Sequence, residues 1–362
     1  MAIGLPNINI IFQQKAVSAI ARSERGTACV IVRETGKDAG IKIYKYATDI
    51  DSADYSESNL TALKRAFLVP VNKMYVVTVP TDAEFSTVTT LLETIKYNWV
   101  CSTAEGDQQD LATYIVNKNA KSKGKKYQCL VYGVTTADNK AIHVLKNSTV
   151  TLADTGEVIA SVLFLPQLCA ICAGLPMNRS LTYYTLENLA DVDKTFLTLE
   201  HDADYWVNEG NLVLINDDGE IRVARGVNSL TTFTSTETED MRKIIIVESM
   251  NLILEDIYTT FKENYVGKYK NSYDNQCLFI SAVLAYFRDL AKEEILDPAY
   301  RNTVTVDVEA QRNAWLAVGK TEAEDWTEAK VREMTFKSKM ILKGSIKIFD
   351  AVEDIDFIIT ME

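Results

Sequence analysis

MYVVTVPTDAEFSTVTTLLETIKYNW, residues 74–99, is the stretch that determines the fold class. Its first six residues, Met74 to Val79, are apolar, aromatic or β-branched and predict a buried strand. The residues from Phe85 to Trp99 predict a helix, because apolar side chains recur there every three or four positions. Those side chains are Val88, Leu91, Leu92 and Ile95. A strand followed directly by a helix is the repeating unit of a parallel sheet.

The same alternation continues on both sides of this stretch, from Ile41 to about Asp193. Strands that alternate with helices of this length predict an α/β layer around a mostly parallel sheet. The further predicted strands are Thr27–Arg33, Ile41–Tyr44 and Cys129–Val134. The further predicted helices are Gln109–Lys121, capped by Asp107, and Val158–Gly174, interrupted near Pro166.

Downstream the pattern changes to strands and then to long helices. From Trp206 to about Phe233 it predicts an all-β region, and the Asp- and Gly-rich turn at 216–219 predicts a hairpin. The hairpin strands are Leu212–Ile215 and Ile221–Val223. Two amphipathic helices follow, Met241–Tyr265 with Gly267 at its C-cap and a second helix that Asp274 caps and Asp297-Pro298 ends. The last predicted elements are the strand Thr303–Val308, the helix Glu309–Val318 and the strand Ser345–Phe349.

The sequence predicts an apolar strand at each end of the chain. Ile8, Ile10 and Phe12 alternate on one face of an extended segment, and Ile355 to Met361 forms a final apolar run. Unpaired strand edges recruit other strands, so such ends need a partner. Two interpretations stay open: the ends pair within the subunit's own sheet, or at least one adds a strand to a neighbouring subunit. The candidate inter-subunit strand residues are Ile8, Ile10, Phe12, Ile346, Ile348, Phe357 and Ile359.

Composition and charge exclude several classes of protein. The chain has 362 residues, 47% of them apolar and 24% charged, which is an ordinary globular balance for two or three domains. Its net charge of −12 argues against a protein that coats nucleic acid and against a polybasic membrane anchor. The longest apolar stretch, Val162 to Pro176, falls short of a membrane span, so no membrane insertion is expected. The first twelve residues lack the pattern of a signal peptide, so we expect folding in a reducing cytoplasm.

No catalytic or metal-binding constellation emerges from the residue pattern. Cys169 and Cys172 have CxxC spacing, but they lie in an apolar helix without a second pair of ligands, and the six cysteines are interpreted as buried thiols. The two histidines, His143 and His201, offer no triad beside a nucleophile elbow. Phosphate-binding glycine loops are absent from the sequence. The expectation is a protein that is not an enzyme and holds no cofactor and no metal.

Two charged stretches have competing interpretations. The basic run is either a solvated loop after a helix or an electrostatic contact with an acidic copy of the same chain. It consists of Lys118, Lys121, Lys123, Lys125 and Lys126. The stretch from Trp326 to Glu333 predicts a short charged helix, which is either a solvent face or a surface that slides on a partner. Its candidate partner-facing charges are Glu328, Lys330, Arg332 and Glu333.

Several phrases of the sequence follow one another in a characteristic order and spacing. Near the start, the phrase is Ala19 to Gly26. The other phrases are Arg225–Thr232, Met241–Met250, Asp256–Gly267, Tyr273–Ile280, Val306–Gln311 and Leu342–Asp354. By their order and spacing these phrases resemble the contractile phage tail sheath protein family, most strongly from residue 225 to the end and most weakly from about 40 to 200. The resemblance is to the compact sheaths of Gram-positive myophages, defective prophages and phage-tail-like bacteriocins.

The resemblance implies a multi-domain α+β and α/β architecture. A core domain from the N- and C-terminal regions would carry a middle α/β insertion domain and extended terminal β-arms. The implied boundaries are 1–25 for the arm and first part of the core, 26–225 for the insertion, 226–345 for the core and 346–362 for the C-terminal arm.

The resemblance also implies a function and partners. Subunits would stack as six-fold rings around an inner tail tube in a metastable extended state. Contraction would then drive the tube through the envelope of the target cell. The implied partners are copies of the chain, the tube protein, and baseplate and tail-terminator proteins, in a virion tail or phage-tail-like particle assembled in the bacterial host cytoplasm. The alternatives are an α/β enzyme or nucleotide-binding protein, and a baseplate or adaptor protein of the same particle.

Overall fold

The computed structural model of the protein describes residues 19–69 and 71–361. Its strands are β1 (Thr27–Glu34), β2 (Gly40–Tyr44), β3 (Lys73–Pro80), β4 (Trp99–Ser102), β5 (Gln128–Tyr132), β6 (Ile142–Leu145), β7 (Thr149–Leu152), β8 (Val158–Ala160), β9 (Leu189–Val192), β10 (Asn211–Leu212), β11 (Leu214–Asp217), β12 (Glu220–Val223), β13 (Thr303–Val306) and β14 (Leu342–Ser345). Its α-helices are α1 (Glu57–Ala66), α2 (Phe85–Leu92), α3 (Gln108–Lys121), α4 (Ser161–Gly174), α5 (Ala203–Asn208), α6 (Ile244–Asn264), α7 (Tyr273–Lys292), α8 (Val308–Ala317) and α9 (Glu328–Glu333). None of the helices in these ranges is long and apolar enough to cross a membrane.

The chain forms two compact units. The large unit consists of Arg22–Thr259, Glu293–Asp297 and the segment from Ile348 onward. The small unit consists of Thr260–Lys292, Pro298–Lys347 and the described residues up to Ala21. Each unit is therefore built from segments that lie far apart in the sequence.

A seven-stranded sheet organises the large unit. Its strand order is β10-β6-β5-β4-β1-β3-β2, and every neighbouring pair is parallel except β2 with β3. Successive residues of β1 point to opposite faces, so Val30 packs with α1 and α4 while Ile31 packs with α2 and α3. The prediction of an α/β layer with a mostly parallel sheet is confirmed.

The predicted helix from Phe85 to Trp99 is wrong in its second half. The helix α2 ends at Leu92, and Trp99 begins the strand β4, which pairs with β1. The helical spacing up to Ile95 does not extend the helix. Trp99 and Val100 have no exposed surface, because they lie in the centre of the sheet.

Several other sequence predictions need correction. Asp274 lies in the first turn of α7 and not before it, and α7 ends at Lys292, before Asp297-Pro298. The helix α4 begins at Ser161 and runs through Pro166, and Val158 to Ala160 forms the strand β8, paired with β7. A proline near the start of a helix costs one backbone hydrogen bond, which the nearly complete burial of α4 offsets. The region after Trp206 is not all-β, because Trp206 lies in α5. The strand predicted at Ser345–Phe349 lies earlier, at β14, where it pairs with β13.

The β11–β12 hairpin confirms the predicted Asp-Gly turn. Its central residues Asp218 and Gly219 have φ angles of 51° and 90°, and two positive φ angles are what a two-residue type I′ turn requires. Asn216 Oδ1 accepts a hydrogen bond from Gly219 N at 3.0 Å. The strands are shifted by one or two residues from the predicted ranges.

The small unit is built around α7, the two-stranded β13–β14 sheet, and α8 with α9. The sequence predicts Asp307 within a strand, but β13 ends at Val306 and Asp307 Oδ1 accepts from Ala310 N at 3.1 Å, so Asp307 caps α8. Gln311 is fully buried and donates to the carbonyl of Val331 at 2.6 Å. Trp315 packs edge-on against Phe336, with ring centroids 5.1 Å apart. These contacts hold α9 against α8.

Replacing Gly210 with alanine is expected to lower the free energy of unfolding by about 2 kcal/mol. Gly210 has a φ of +78°, and an added Cβ would lie 2.9 Å from the Cα of Ser229. Gly36 has a similar φ of +71° with nothing within 4 Å of the added Cβ, so its alanine variant carries only the conformational cost. Urea denaturation of both variants measures the difference. Equal losses would contradict a role for the approach to Ser229.

Candidate functional site: the C-terminal segment

In open α/β sheets, ligands bind at the carboxyl ends of two neighbouring strands whose connections run to opposite sides of the sheet. In this sheet those two strands are β1 and β4. We call this place the switch-point crevice. Arg33 donates to Asp107 Oδ1 through Nε at 2.9 Å and through a terminal nitrogen at 2.7 Å, and Ser102 Oγ donates to Asp107 Oδ2 at 2.8 Å. The Asp107 side chain is 2% exposed. Asp107 is thus an ion-pair partner and not the predicted side-chain cap of α3.

A second polar chain closes the same crevice. Thr103 Oγ1 donates to Asn59 Oδ1 at 2.7 Å, and Asn59 Nδ2 donates to Glu34 Oε1 at 2.8 Å. Glu34 Oε1 also accepts from the backbone and hydroxyl of Ser56. The polar groups at this edge of the sheet therefore bond to one another, and the crevice is filled with side chains.

Five of the six cysteines, all within the described residues, are buried as predicted, whereas Cys277 in α7 is half-buried and departs from that prediction. Cys169 and Cys172 are buried free thiols in α4, as predicted, and burial raises the pKa of Cys172 well above its usual value. His201 stacks on Tyr205, with ring centroids 4.1 Å apart, and Asp202 caps α5. No group of three potential metal ligands occurs within residues 19–69 and 71–361.

The basic run is mostly engaged within the large unit, so the prediction of a solvated loop is wrong for three of its lysines. Lys125 Nζ pairs with Glu255 at 2.7 Å. Lys118 Nζ lies 4.6 Å from the ring centroid of Tyr127, and burial lowers the pKa of Lys118 although Glu93 opposes that shift. Lys126 Nζ donates to two backbone carbonyls, of Asn119 and Ser122. Lys121 and Lys123 are exposed.

The C-terminal segment has an attached root, residues 348–354. Ile348 forms an isolated antiparallel bridge with Leu296, and Phe349 N donates to the carbonyl of Ile295 at 2.9 Å. Lys243 Nζ binds Asp350 Oδ2 at 2.5 Å. Burial opposes the charge on Lys243, but its bonds to Asp350 and Glu353 raise its pKa above the usual value.

Glu353 is the buried centre of this root. Its side chain is 3% exposed, whereas Val352 before it is 95% exposed and Ile355 after it 85%. Four side chains surround its carboxylate, and we call them the Glu353 cradle. Ser180 Oγ and Thr182 Oγ1 donate to Glu353 Oε1 at 2.9 and 2.7 Å, while Arg225 and Lys243 lie 3.5 and 3.4 Å from Glu353 Oε2.

Asp354 ends the root with a surface ion pair. Two nitrogens of the Arg225 guanidinium donate to the two oxygens of Asp354, at 2.6 and 3.1 Å. This bidentate bond lowers the pKa of Asp354 and raises the pKa of Arg225. Arg225 thus holds two consecutive carboxylates of the chain.

The seven residues after the root, 355–361, belong to no helix and no β-ladder of this chain. We call them the C-terminal arm. Phe357 is 75% exposed and Ile359 70%, with Ile358 at 91% between them. Side chains of this size are normally buried, so the arm is an apolar strand sequence attached at one end only.

The other predicted site residues have mixed outcomes. Ile8, Ile10 and Phe12 lie outside the described residues. Ile346 and Ile348 are half-buried and follow β14, so they are not part of a regular strand. In α9, Glu328, Lys330 and Glu333 are exposed, and Arg332 pairs with Glu328 at 3.2 Å, one helical turn away. Val331 is the buried residue that attaches this helix.

Sequence reasoning missed the cradle, although a signal for it existed. Arg225, Lys243 and Glu353 each lie in a different phrase of the family resemblance, and the structure brings these three phrases together. In the acidic run from Asp350 to Asp354, no periodic pattern distinguishes Glu353 from its neighbours. A prediction that these three phrases, far apart in the sequence, contact one another would have indicated where the C-terminal segment attaches.

Comparisons with known proteins identify the family of the chain. A family model described as the phage tail sheath protein central domain matches residues 79–229, and one described as the phage tail sheath C-terminal domain matches residues 236–362. A tail sheath protein of Clostridium phage phiCD119 is 32% identical over 373 residues, covering 99% of each chain.

Solved structures have the same fold. The contracted helical sheath of the anti-feeding prophage has a TM-score of 0.71 at 14% identity and covers 100% of both chains. A sheath tail protein from Desulfitobacterium hafniense has a TM-score of 0.68 at 15% identity, covering 83% of this chain and 94% of that one. The alternative of an α/β enzyme finds no support among these relatives. With two family models and a full-length relative in agreement, this chain belongs to the family of contractile phage tail sheath proteins.

Proposed function

We propose that this protein polymerises around an inner tail tube as stacked six-fold rings and is trapped there in a metastable extended state. Contraction of the polymer then drives the tube through the envelope of a target cell. The observation that carries the proposal is the C-terminal arm, an exposed apolar strand sequence on an attached root. Because such a strand needs a partner, donation to a neighbouring subunit is the economical explanation.

The β13–β14 sheet of the small unit is the proposed acceptor. Each of its strands has four residues, and among the described residues each pairs only with the other. An added strand would form about four backbone hydrogen bonds, worth about 1 kcal/mol each before the cost of ordering the arm. Burial of Phe357 and Ile359 would add about 1.5–3 kcal/mol for each side chain. When every subunit both donates a strand and accepts one, several such links hold each subunit at once, and together they bind more tightly than one link alone.

The remaining partners follow from the same assignment. The N-terminal segment with Ile8, Ile10 and Phe12 is proposed as a second donated strand. The exposed charges of α9 are proposed to face the tube, namely Glu328, Lys330, Arg332 and Glu333. Baseplate and terminator proteins would cap the polymer, within a virion tail or phage-tail-like particle assembled in the bacterial cytoplasm. No nucleic acid and no membrane insertion is part of this proposal.

The proposed domain scheme keeps the arms separate from the body of the subunit. Residues 1–25 and 226–345 would contribute to a core domain near the tube, residues 26–225 would form an insertion domain, and residues 346–362 the C-terminal arm with its root. Rigid domains joined by donated strands can rotate while the subunits stay linked, which is what a contracting polymer requires.

Truncation tests the proposal. The full chain, a variant lacking residues 1–14 and a variant lacking residues 355–362 would each be expressed with the cognate tube protein and viewed by negative-stain electron microscopy. We expect long striated tubes from the full chain and none from the second truncation. Leu199→Asp is the control, because it changes a fully exposed apolar residue outside both ends. Monomers from every form, with a verified tube present, would contradict the sheath function.

A further inference from the structure

We propose that Glu353 is the positioning residue of the C-terminal arm, holding the start of the arm in a preformed cradle before the subunit assembles. This inference rests on the proposed function, because it assumes that the arm is donated to a neighbour. It adds that the direction and reach of the arm are determined within the free subunit and not by the acceptor alone.

The hydroxyl donors of the cradle are already oriented. Thr182 Oγ1 accepts a hydrogen bond from Gly226 N at 2.9 Å, and Ser180 Oγ accepts one from Thr182 N at 3.1 Å. A hydroxyl that accepts from a backbone N–H directs its own proton elsewhere. In both cases that proton is donated to Glu353 Oε1. The cradle is therefore arranged by backbone groups that do not belong to the C-terminal segment.

Close packing of two chain segments builds the cradle. A Cβ added to Gly226 would lie 3.0 Å from the Cβ of Leu181 and 3.2 Å from Thr182 N. Glycine lets the backbone beside Arg225 approach Thr182 this closely without displacing Leu181. This approach brings the cationic and the hydroxyl donors of the cradle to opposite oxygens of one carboxylate.

The cradle selects one carboxylate from an acidic run. The side chains of Asp350 and Asp354 are 40% and 75% exposed, and their ion pairs lie at the surface, where such pairs contribute little. Glu353 alone is enclosed: its Oε1 accepts two hydrogen bonds, and its Oε2 has the cations of Arg225 and Lys243 at ion-pair distances of 3.5 and 3.4 Å. Removing one partner of an enclosed charged group leaves the remaining enclosed groups unpaired. The free energy lost is therefore larger than that lost with a surface ion pair.

A fixed root limits where the acceptor can be. Residues 355–361, which include Phe357 and Ile359, span at most about 23 Å when extended, at about 3.3 Å per residue. The acceptor edge of the neighbouring subunit must therefore begin within that distance of the donor's Arg225. A fixed root also lowers the conformational entropy cost of strand donation, because the root is already ordered in the free subunit. Preorganisation of this kind strengthens binding.

Hydrogen exchange of the free subunit tests the anchor directly, and electron microscopy of tube assembly tests its consequence. The variant Glu353→Gln keeps the side-chain size and removes the charge. Asp356→Asn is the matched control, because it removes one carboxylate from the arm without touching the cradle. Thr182→Val removes a donor of the cradle and leaves the C-terminal segment unchanged. The variant lacking residues 355–362 reports whether the arm is needed at all.

We expect Glu353→Gln and Thr182→Val each to speed amide exchange of residues 349–354 in the free subunit and to raise the concentration needed for tube assembly by about tenfold. The double variant should be no worse than either single variant, since both break the same contact. Asp356→Asn should match the parent chain. In Glu353→Gln the exchange changes should be confined to the C-terminal segment, and in Thr182→Val to that segment and to Gly226, whose amide loses its acceptor. A general loss of stability would not produce this pattern.

Two results separate this inference from the proposed function. Normal tubes from the variant lacking residues 355–362 would overturn the donation of the arm, and the positioning role with it. Loss of tubes in that truncation, together with parent-like exchange and assembly of Glu353→Gln and Thr182→Val, would overturn the anchor alone.

Discussion

Replacing Arg33 with methionine is expected to lower the free energy of unfolding by about 3 to 5 kcal/mol. Arg33 is the cation opposite Asp107 in the switch-point crevice, and the Asp107 side chain is 2% exposed. Methionine fills much of the same volume but leaves the buried carboxylate with the hydroxyl of Ser102 as its remaining side-chain donor. The Arg33 guanidinium also donates to the carbonyl of Ala83 at 2.6 Å, and this bond is lost too. Urea denaturation of the purified subunit measures the effect.

The double variant Arg33→Met/Asp107→Asn is the control for this prediction. Removing the charge from both partners should recover part of the loss, because no buried charge is then left unpaired. A loss below about 1 kcal/mol in Arg33→Met would mean that water reaches Asp107 and that the crevice is open. The prediction thus tests whether the place where other α/β sheets bind ligands is closed in this protein.

Asp107 also shows why part of the fold could not be predicted locally. An aspartate before an amphipathic helix is a good candidate for an N-cap, and the helix α3 does begin next to it. Its carboxylate is instead taken by Arg33, which is 74 residues away in the sequence. An N-cap and an ion-pair partner can both be aspartate, so the sequence around Asp107 does not distinguish these two roles. Only the position of the strand that carries Arg33 does so.

Trp99 illustrates a different limit. The residues before it have helical spacing, and nothing in their pattern places the end of the helix at Leu92. The strand β4 is recognisable only through its pairing with β1, since Trp99 and Val100 are enclosed on both faces of the sheet. A fully buried strand has no alternation of polar and apolar residues, so its sequence cannot be separated from that of a buried helix.

The strands β1 and β3 could be predicted from periodicity, because each has a continuous local pattern. The apolar run at 355–361 has a similar pattern but forms no strand within this chain. The Glu353 cradle could not be predicted in this way. Its hydroxyl donors lie 171 and 173 residues from Glu353 in the sequence. A single carboxylate in an acidic run carries no local sign that it will be buried.

Acid is expected to destabilise the large unit through His143. Burial lowers the pKa of His143 from 6.5 to about 3, because the ring has no exposed surface and packs against Trp99 with centroids 4.4 Å apart. Below pH 6.5 the unfolded chain binds a proton at this residue while the folded chain does not. Stability therefore falls as the pH is lowered from about 6.5 toward 3. At pH 4 the contribution amounts to about 3 kcal/mol, at about 1.4 kcal/mol per pH unit.

The variant His143→Gln isolates this contribution from the carboxylates that also titrate in acid. Asp193 is one of them: burial alone would raise its pKa, but hydrogen bonds from Ser148 and Thr195 lower it to about 2. Its protonation therefore also costs stability as the pH falls, but below about pH 4. Urea denaturation at pH 7 and pH 4 should show a loss on acidification that is smaller by about 3 kcal/mol in His143→Gln than in the parent. An equal loss in both would mean that His143 binds a proton in the folded protein as readily as in the unfolded chain. Since His143 lies in β6, that outcome would show that the central sheet admits water in acid.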